Sequence, residues 1–299
     1  MTFIDAHRDR FGVEPICRTL GLAPSTYYAR KTRAPSQRAS EDARLLERIR
    51  AVHHDNYGAY GSRRVWKALR RQGEQAPRCR VERLMRVHGL RGAQPGKRRW
   101  LTVADETASR PADLVERRFT AERPNQLWVC DLTYLKTREG FVYLAFVKDV
   151  FSRIIVGWQT ATHLRTDLVL DALEMAVHLR RPGTGELVAH TDRGSQYTSF
   201  RYTQRLADLG IAASVGSIAD AYDNAMAESF VGTLKTELVA GRVFATRFEA
   251  EIAVVEYLGW FNHTRLHESL GDRPPAEFEN LHASPNKTIT DTIMSKETN

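Results

Sequence analysis

The chain has 299 residues, a net charge of +8 and 42% hydrophobic residues, values that are ordinary for a globular protein of about two domains. No apolar run reaches about 18 residues and the first residues contain no apolar segment, so we expect neither a spanning helix nor a secretory signal. The three cysteines are widely spaced and form no CxxC pair, which argues against a zinc ribbon or a disulfide framework. We therefore expect a cytoplasmic protein.

Positive charge is concentrated in the first part of the chain. Residues 1–124 carry 27 Lys and Arg against 14 Asp and Glu, a net charge of +13, whereas the remainder carries 17 against 22, a net charge of −5. A cationic head suits a polyanion such as DNA, because each neutralised phosphate releases counterions. Considered alone, the excess charge fits a solvated basic surface equally well.

The head is predicted to be helical. Residues 12–20 place apolar side chains at helical spacing, GLAPS interrupts the pattern, and STYYARK starts a second helix, so 1–35 is predicted to be a short helix-turn-helix segment. After a link rich in Ser, Pro and Arg, a further helix is predicted from Ser40, a favourable N-cap, to residue 55.

Two short basic helices follow, over residues 60–73 and 77–90, and the range 40–92 is predicted to be a basic helix-turn-helix DNA-binding domain. Their inward positions are apolar: Val65, Leu69, Val81, Leu84 and Val87. The remaining cations are expected to face outward, at a density that favours DNA contact over simple solubility. The side chains predicted to contact DNA are Arg63, Arg64, Lys67, Arg78, Arg80 and Arg83.

Residues 93–123 are polar and basic without a periodic pattern, and we predict a linker that either lies along DNA or is a loose solvated tether. After Asn125 the pattern changes to three strands joined by tight turns, then to helix, strand, helix, strand and helix. The order βββαβαβα is that of the ribonuclease-H-like fold, predicted here over 124–240. Residues 241–282 are predicted to be a C-terminal helical extension and 283–299 a flexible tail.

Three acidic residues stand out in the predicted catalytic domain. Asp131 interrupts an apolar strand, and a buried carboxylate is costly unless it is paired or binds a metal; a turn cap or a partner arginine would explain it as well. Asp192 follows a strand and begins a glycine-containing loop, where either a site or an ordinary Asx-turn forms. Glu228 lies on a predicted helix, roughly on one face with Asn224 and Lys235, and a salt-bridging surface is the alternative.

His190 lies two residues before Asp192 and points to the same side of the strand. It is a candidate for orienting the carboxylate of Asp192 without binding the metal itself, but a packed core histidine is the more common arrangement.

The spacing of the acidic residues is more specific than their presence. Asp131 and Asp192 have 60 residues between them, Asp192 and Glu228 have 35, and Lys235 follows Glu228 by seven. With the segments NQLWVCDLTYLKT, HTDRGSQYTS, DNAMAESFVGTLKTEL and WFNHTRLHESLGDRPPAEFE, the sequence closely resembles the insertion-sequence DDE transposases of the second-reading-frame type, relatives of retroviral integrases. The basic helical head resembles the helix-turn-helix upstream of that catalytic domain.

The resemblance implies that Asp131, Asp192 and Glu228 are the catalytic acids and metal ligands, with Asn224 and Lys235 near the DNA end. It implies two Mg²⁺ ions, with Mn²⁺ able to substitute, because hard divalent cations prefer carboxylate oxygens. The expected activity is DNA strand cleavage and strand transfer that move and integrate an insertion sequence. The alternatives are a ribonuclease-H-like nuclease that does not join strands and a non-catalytic DNA-binding regulator.

The resemblance also bears on partners. We expect the element ends and target DNA as substrates, a homodimer or higher multimer on DNA, and a nucleoid-associated location, with no membrane. Because relatives often act as frameshift fusions, an upstream-frame helix-turn-helix partner or fusion is a further expectation.

Overall fold

The computed structural model describes residues 1–94, 113–115, 119–192, 194–216 and 224–282. The chain divides into two compact units, 1–50 and 51–299. Most of the predicted linker and all of the predicted tail lie outside the described residues. Among the described helices, none is long and apolar enough to cross a membrane.

The first unit begins with three short helices: α1 (Thr2–Phe11), α2 (Val13–Thr19) and α3 (Pro24–Thr32). Ile4, Ile16, Cys17 and Tyr27 form its small core. The helices α2 and α3 agree with the two predicted ones, but α1 was not predicted. Ile4 is the buried residue of α1. Because the helix has no apolar stripe at helical spacing, the sequence pattern does not predict it.

The next helices are α4 (Gln37–Asp55), α5 (Ser62–Arg71) and α6 (Arg78–Val87). The prediction that Ser40 caps α4 was wrong. The hydroxyl of Ser36 accepts a hydrogen bond from the backbone N–H of Ala39 at 3.2 Å, so the helix begins one turn earlier. The inward residues of α5 and α6 are buried as predicted except Val87, which is exposed because Met85 takes its place in the core.

Five strands form one mixed sheet: β1 (Leu127–Thr137), β2 (Gly140–Asp149), β3 (Ile155–Ala161), β4 (Val188–Thr191) and β5 (Ala212–Val215). Their order is β3-β2-β1-β4-β5. The first three strands are antiparallel neighbours, and β4 and β5 run parallel to β1. With α7 (Thr166–Arg180), α8 (Phe200–Asp208) and α9 (Ala225–Leu234) between and after the later strands, the predicted order and the ribonuclease-H-like fold are confirmed.

Helices cover both faces of the sheet. On one face, Trp128 and Cys130 of β1 join the core formed with α7 and α8. Gly157 of β3 allows α7 to approach closely, since a Cβ there would lie 2.2 Å from the carbonyl oxygen of Ala172. On the other face, Phe146 of β2 packs edge-on against Phe230 of α9, with ring centroids 4.6 Å apart.

The predicted helix 221–239 is not uniform. Its described part begins at Ala225 and widens into a π-helical segment at Lys235–Val239. Two further helices, α10 (Arg247–His263) and α11 (Pro275–His282), follow, with a 3-10 turn at Glu268–Leu270 between them. The chain between α10 and α11 is called the C-terminal segment, residues 264–274.

Candidate active site and nucleic-acid interface

Strand register brings two of the predicted carboxylates level with each other. In the parallel pair of β1 and β4 the last partners are Cys130 and Thr191, so Asp131 and Asp192 are the next residues along each chain. Asp131 is opposite Phe146 in the β1–β2 ladder, and directly opposed residues share a face. Because Phe146 packs on α9, the Asp131 carboxylate lies on the face of the sheet that α9 covers.

Asp131 lies where its charge is disfavoured. Burial raises the pKa of its carboxyl well above the ordinary 3.8, and the carboxylates of Asp192 and Glu228 raise it further. The backbone N–H of Leu132 donates a hydrogen bond to it at 2.7 Å, and Lys235 also favours the charged form, yet neither offsets the burial. Asp131 pairs with no arginine within the described ranges, so the alternative of a structural ion pair is not what the structure has.

Asp192 forms the Asx-turn that was one of the two alternatives, and its role in a site stays a prediction. Its Oδ1 accepts a hydrogen bond from the backbone N–H of Gly194 at 2.9 Å, which is the Asx-turn alternative. The same carboxyl has a pKa raised by burial, with the Gly194 hydrogen bond and His190 opposing that effect. The turn therefore holds the carboxylate beside Asp131.

His190 is buried in β4 and held by several neighbours. Its Nδ1 lies 2.9 Å from the hydroxyl oxygen of Ser214 on β5, and its ring packs edge-on against Phe119 at 5.5 Å. These contacts fit a packed core histidine. Orientation of Asp192 by His190 stays a prediction, supported only by its effect on the pKa of that carboxyl.

The start and end of α9 bring two further predicted residues to Asp131. Asn224 precedes the helix, and its Nδ2 donates to the carbonyl oxygen of Cys130 at 3.2 Å. Its buried Oδ1 has no hydrogen-bond partner within the described ranges. Lys235 begins the π-helical segment and lowers the pKa of Asp131. The Lys235 ammonium lies 5.0 Å from the ring centroid of Tyr134.

The donor atoms of this site are carboxylate and amide oxygens, the kind that hard divalent cations prefer. The carboxylates of Asp192 and Glu228 act electrostatically on Asp131, and the Asn224 Oδ1 is a buried oxygen without a hydrogen-bond partner among the described residues. Such a cation would remove the cost of placing like charges together. Among the described side chains no three of the His, Cys, Asp and Glu type are close enough to hold one metal ion between them.

Two aromatic residues, Tyr134 and Phe141, were not singled out from the sequence. They are half-exposed on neighbouring strands, with ring centroids 5.1 Å apart, and Tyr134 contacts the Lys235 side chain. The available signal was an aromatic residue three positions after Asp131 on the same strand.

The three cations of α5 that were predicted to contact DNA lie near carboxylates of the chain itself. Arg63 pairs with Glu268 and Lys67 with Asp272, both in the C-terminal segment, at 2.5 Å and 3.0 Å. Arg64 is directed to Glu237 at 3.8 Å, where burial lowers its pKa. The hydroxyl of Tyr60 accepts a hydrogen bond from the Leu266 N–H at 2.7 Å. The helix α5 thus docks on the C-terminal segment, and DNA contact by its cations stays a prediction.

The cations of α6 are placed differently. Arg78 is exposed, and Arg80 and Arg83 are partly exposed. Contact of these three with DNA also stays a prediction.

A mixed sheet in this order, with acidic residues after β4 and on α9 that act on the acidic residue of β1, is the arrangement of a ribonuclease-H-like enzyme of the DDE type. The integrase core domain family matches residues 121–221, a second integrase core family matches 209–275, and an HTH-like domain matches 40–98. The chain belongs to the insertion-sequence transposases with an integrase core domain.

The similarity extends over most of the chain. It is 48% identical over 263 residues to the transposase assigned to insertion sequence element IS986/IS6110 of Mycobacterium tuberculosis, covering 86% of this chain and 95% of that protein. It is 46% identical over 285 residues to the transposase for insertion sequence element IS629 of Shigella sonnei, covering 93% and 95%. The HTLV-2 integrase catalytic core domain, solved in complex with magnesium, is 17% identical with a TM-score of 0.45, covering 54% of this chain and 99% of that one.

Proposed function

We propose that Asp131, Asp192 and Glu228 are the catalytic residues with which this transposase cuts and joins DNA strands at the ends of an insertion sequence. The observation that carries the proposal is the register of β1 and β4, which puts Asp131 and Asp192 level with each other where the paired strands end. Burial and the carboxylates of Asp192 and Glu228 together raise the pKa of Asp131. Neighbouring buried acids are costly in a folded protein, and binding of cations offsets that cost.

The proposed cofactor is a pair of Mg²⁺ ions held by these three carboxylates, with Mn²⁺ able to substitute. When bound, such ions activate the attacking oxygen and stabilise the leaving 3′ oxygen of an in-line displacement. The Asx-turn at Gly194 holds Asp192 in place, and the hydrogen bond from Leu132 orients Asp131. Attack of water on a phosphodiester would break its P–O3′ bond and leave a nicked strand with a free 3′-hydroxyl. Attack of that 3′-hydroxyl on a second phosphodiester beside the same carboxylates would form a new P–O3′ bond, release the 3′-hydroxyl of the target strand and leave a joined strand.

Several side chains are proposed to hold DNA. Asn224 and Lys235 lie beside Asp131 and are suited to contact the DNA end. The cations of α5 and α6 are suited to contact backbone phosphates of DNA. Those on α6 (Arg78, Arg80 and Arg83) are more accessible than those on α5.

Two element ends must be brought together for joining, so we include in the proposal a homodimer or larger assembly on DNA, acting in the cytoplasm at the nucleoid. An upstream-frame partner or fusion is proposed to complete recognition of the ends.

The test is a joining assay on labelled element ends with this chain, in Mg²⁺ and in EDTA, that separates nicked from joined products. We expect both products in Mg²⁺ and neither in EDTA. Asp131→Asn should abolish both while DNA affinity, measured by fluorescence anisotropy, is retained. The matched control is Asp167→Asn, an exposed aspartate at the start of α7 that pairs with Arg201, and it should keep full activity.

The outcomes separate the candidate functions. Joining by the Asp131→Asn variant would contradict the catalytic assignment. Nicking without joining supports the nuclease, and binding without either product, with the upstream-frame product also added, supports the non-catalytic regulator.

A further inference from the structure

A cavity of about 480 Å³ lies against a side of α9 that does not include Glu228. Its walls come from α9, the end of β2, the turn between β2 and β3, the C-terminal segment and Arg64 of α5. None of the three proposed catalytic residues lines it. We call it the α9–β2 cavity.

Lys148 of β2 is the most unusual residue in the walls of this cavity. It is 6% exposed, and within the described ranges its ammonium forms no ion pair or hydrogen bond. It lies 5.8 Å from the ring centroid of Phe230. Burial, with Arg153 and Arg265 nearby, lowers its pKa to about 7. A buried ammonium without an anionic partner is costly, so the Lys148 side chain is only partly charged near pH 7. An anion bound beside it would favour its charged form.

A second cation in the wall has no carboxylate partner among the residues that the structure describes. Arg153, in the turn after β2, is half-buried and directs Nη1 at the sulfur of Met226, 2.6 Å away. It makes no ion pair with an acidic residue in the part of the chain that is described. Burial lowers its pKa, while Asp149 favours its charged form. A thioether is a weak acceptor, so most of the guanidinium's capacity to donate is unused.

The other charged groups of the walls do not neutralise these two. Arg265 and Arg64 share the single carboxylate of Glu237, at 2.7 Å and 3.8 Å. Glu268 is exposed and pairs with Arg63. His267 adds no charge, because burial lowers its pKa to about 2. The cavity therefore has a net positive charge from the described residues that line it.

The remaining polar groups suit the same kind of ligand. The hydroxyls of Ser229 and Ser269 are exposed in the walls and are able to donate to an acceptor oxygen. Charge-assisted and neutral donors around one space are the groups that bind a tetrahedral anion with several acceptor oxygens.

We propose that the α9–β2 cavity is a phosphate-binding site, separate from the catalytic carboxylates, in which Lys148 and Arg153 bind the anion. The phosphate comes either from the backbone of a DNA strand or from a free phosphate or nucleotide. Only the first source rests on the proposed function.

The first test measures the thermal unfolding of the full chain in inorganic phosphate against chloride of matched ionic strength, in EDTA. Ligand binding stabilises the native state, so we expect Tm to rise by about 3 °C at ten times the Kd. Lys148→Met should keep the fold, because it replaces a buried cation with an apolar chain of similar length, and should lose the phosphate-dependent rise. Arg205→Met, which removes an exposed cation of α8 on the opposite face of the sheet, should keep it.

The second test distinguishes the two sources. A series of element-end DNAs is prepared, each with one phosphate replaced by an uncharged methylphosphonate. Their affinities for the wild type and for Lys148→Met are measured by fluorescence anisotropy in EDTA. If a DNA phosphate occupies the cavity, one position should weaken binding of the wild type about threefold and leave Lys148→Met unaffected. That variant should also lower the slope of log K against log salt by about 1.

A Tm rise that requires Lys148, without a coupled methylphosphonate position, assigns the site to a free phosphate or nucleotide. The proposal is overturned if wild type shows no rise beyond chloride and every methylphosphonate weakens both proteins equally. Asp131→Asn should retain the phosphate-dependent rise, so failure of the catalytic assignment would not be mistaken for failure of this site.

Discussion

Glu228 on α9 and Glu237 in the π-helical segment belong to one helical run and have opposite surroundings. Glu237 is buried and accepts two hydrogen bonds from Arg265, at 2.7 Å and 2.8 Å, and one from the hydroxyl of Tyr257 at 2.9 Å. Glu228 instead lies near the carboxylate of Asp131 and raises the pKa of that group. A carboxylate surrounded by cations and hydrogen-bond donors stabilises the folded state. A carboxylate near another carboxylate destabilises it, and a bound cation offsets that destabilisation.

The largest difference between the two positions should be in activity. Glu228→Gln removes one of the carboxylates proposed to hold the metal ions, which contribute several kcal/mol to the transition state. We expect strand joining to fall by about 10³-fold or more and the free energy of unfolding to stay the same or rise, since repulsion near Asp131 is relieved. Joining assays and urea unfolding measure the two effects, and wild-type joining by this variant would remove Glu228 from the site.

Glu237→Gln should have the reverse profile. It leaves Arg265 buried without a full counter-charge, and breaking a buried pair in this way costs about 3–5 kcal/mol. The midpoint of urea unfolding should fall accordingly, while joining per folded molecule is retained. Glu249→Gln, which disrupts the pair with Arg242 on the exposed start of α10, is the matched control and should change stability little. Loss of joining without loss of stability would contradict the structural role.

The region around Glu237 also predicts a dependence of stability on pH. The folded protein keeps His267 neutral with a pKa of about 2, against an ordinary value of 6.5. Below pH 6.5 the unfolded chain binds a proton that the folded chain does not, so stability falls with falling pH, by up to about 1.4 kcal/mol per pH unit. His267→Gln should reduce this slope between pH 6.5 and 4.5 in urea unfolding.

The exposed His54 provides the comparison for that experiment. His54→Gln should leave the slope as in wild type. Equal slopes in wild type and His267→Gln would show that His267 is not held neutral by the fold.

The smallest expected effects compare the two head helices. Arg63→Gln removes an exposed ion pair with Glu268 and should cost no more than about 1 kcal/mol in stability. Its DNA affinity should be close to wild type, because Arg63 is already paired. Arg78→Gln on α6 should weaken binding and lower the salt slope by about 1. Equal effects of the two substitutions on DNA affinity would mean that docking of α5 does not protect its cations from DNA.

Much of the catalytic domain was predictable because its signals are local. The apolar and β-branched runs around Asp131 and after Gly140 predict strands, and the tight turn at Thr137–Gly140 closes them as expected. The resemblance to the insertion-sequence transposases was enough to predict the three acidic residues without a structure. The helix α1 and the cap at Ser36 were missed because burial of a single side chain and a one-turn shift leave little trace in the sequence.

The sequence by itself determined the order of helices and strands after Asn125, the basic head and the spacing of Asp131, Asp192 and Glu228, since periodicity, composition and motif spacing can be read directly along the chain. Only the tertiary structure decided which charged side chains form ion pairs and which are buried. It directs Arg64 to Glu237, pairs Lys67 with Asp272, and leaves Lys148 buried beside Phe230. These partners are far apart along the chain, and their meeting depends on how α5, α9 and the C-terminal segment pack together.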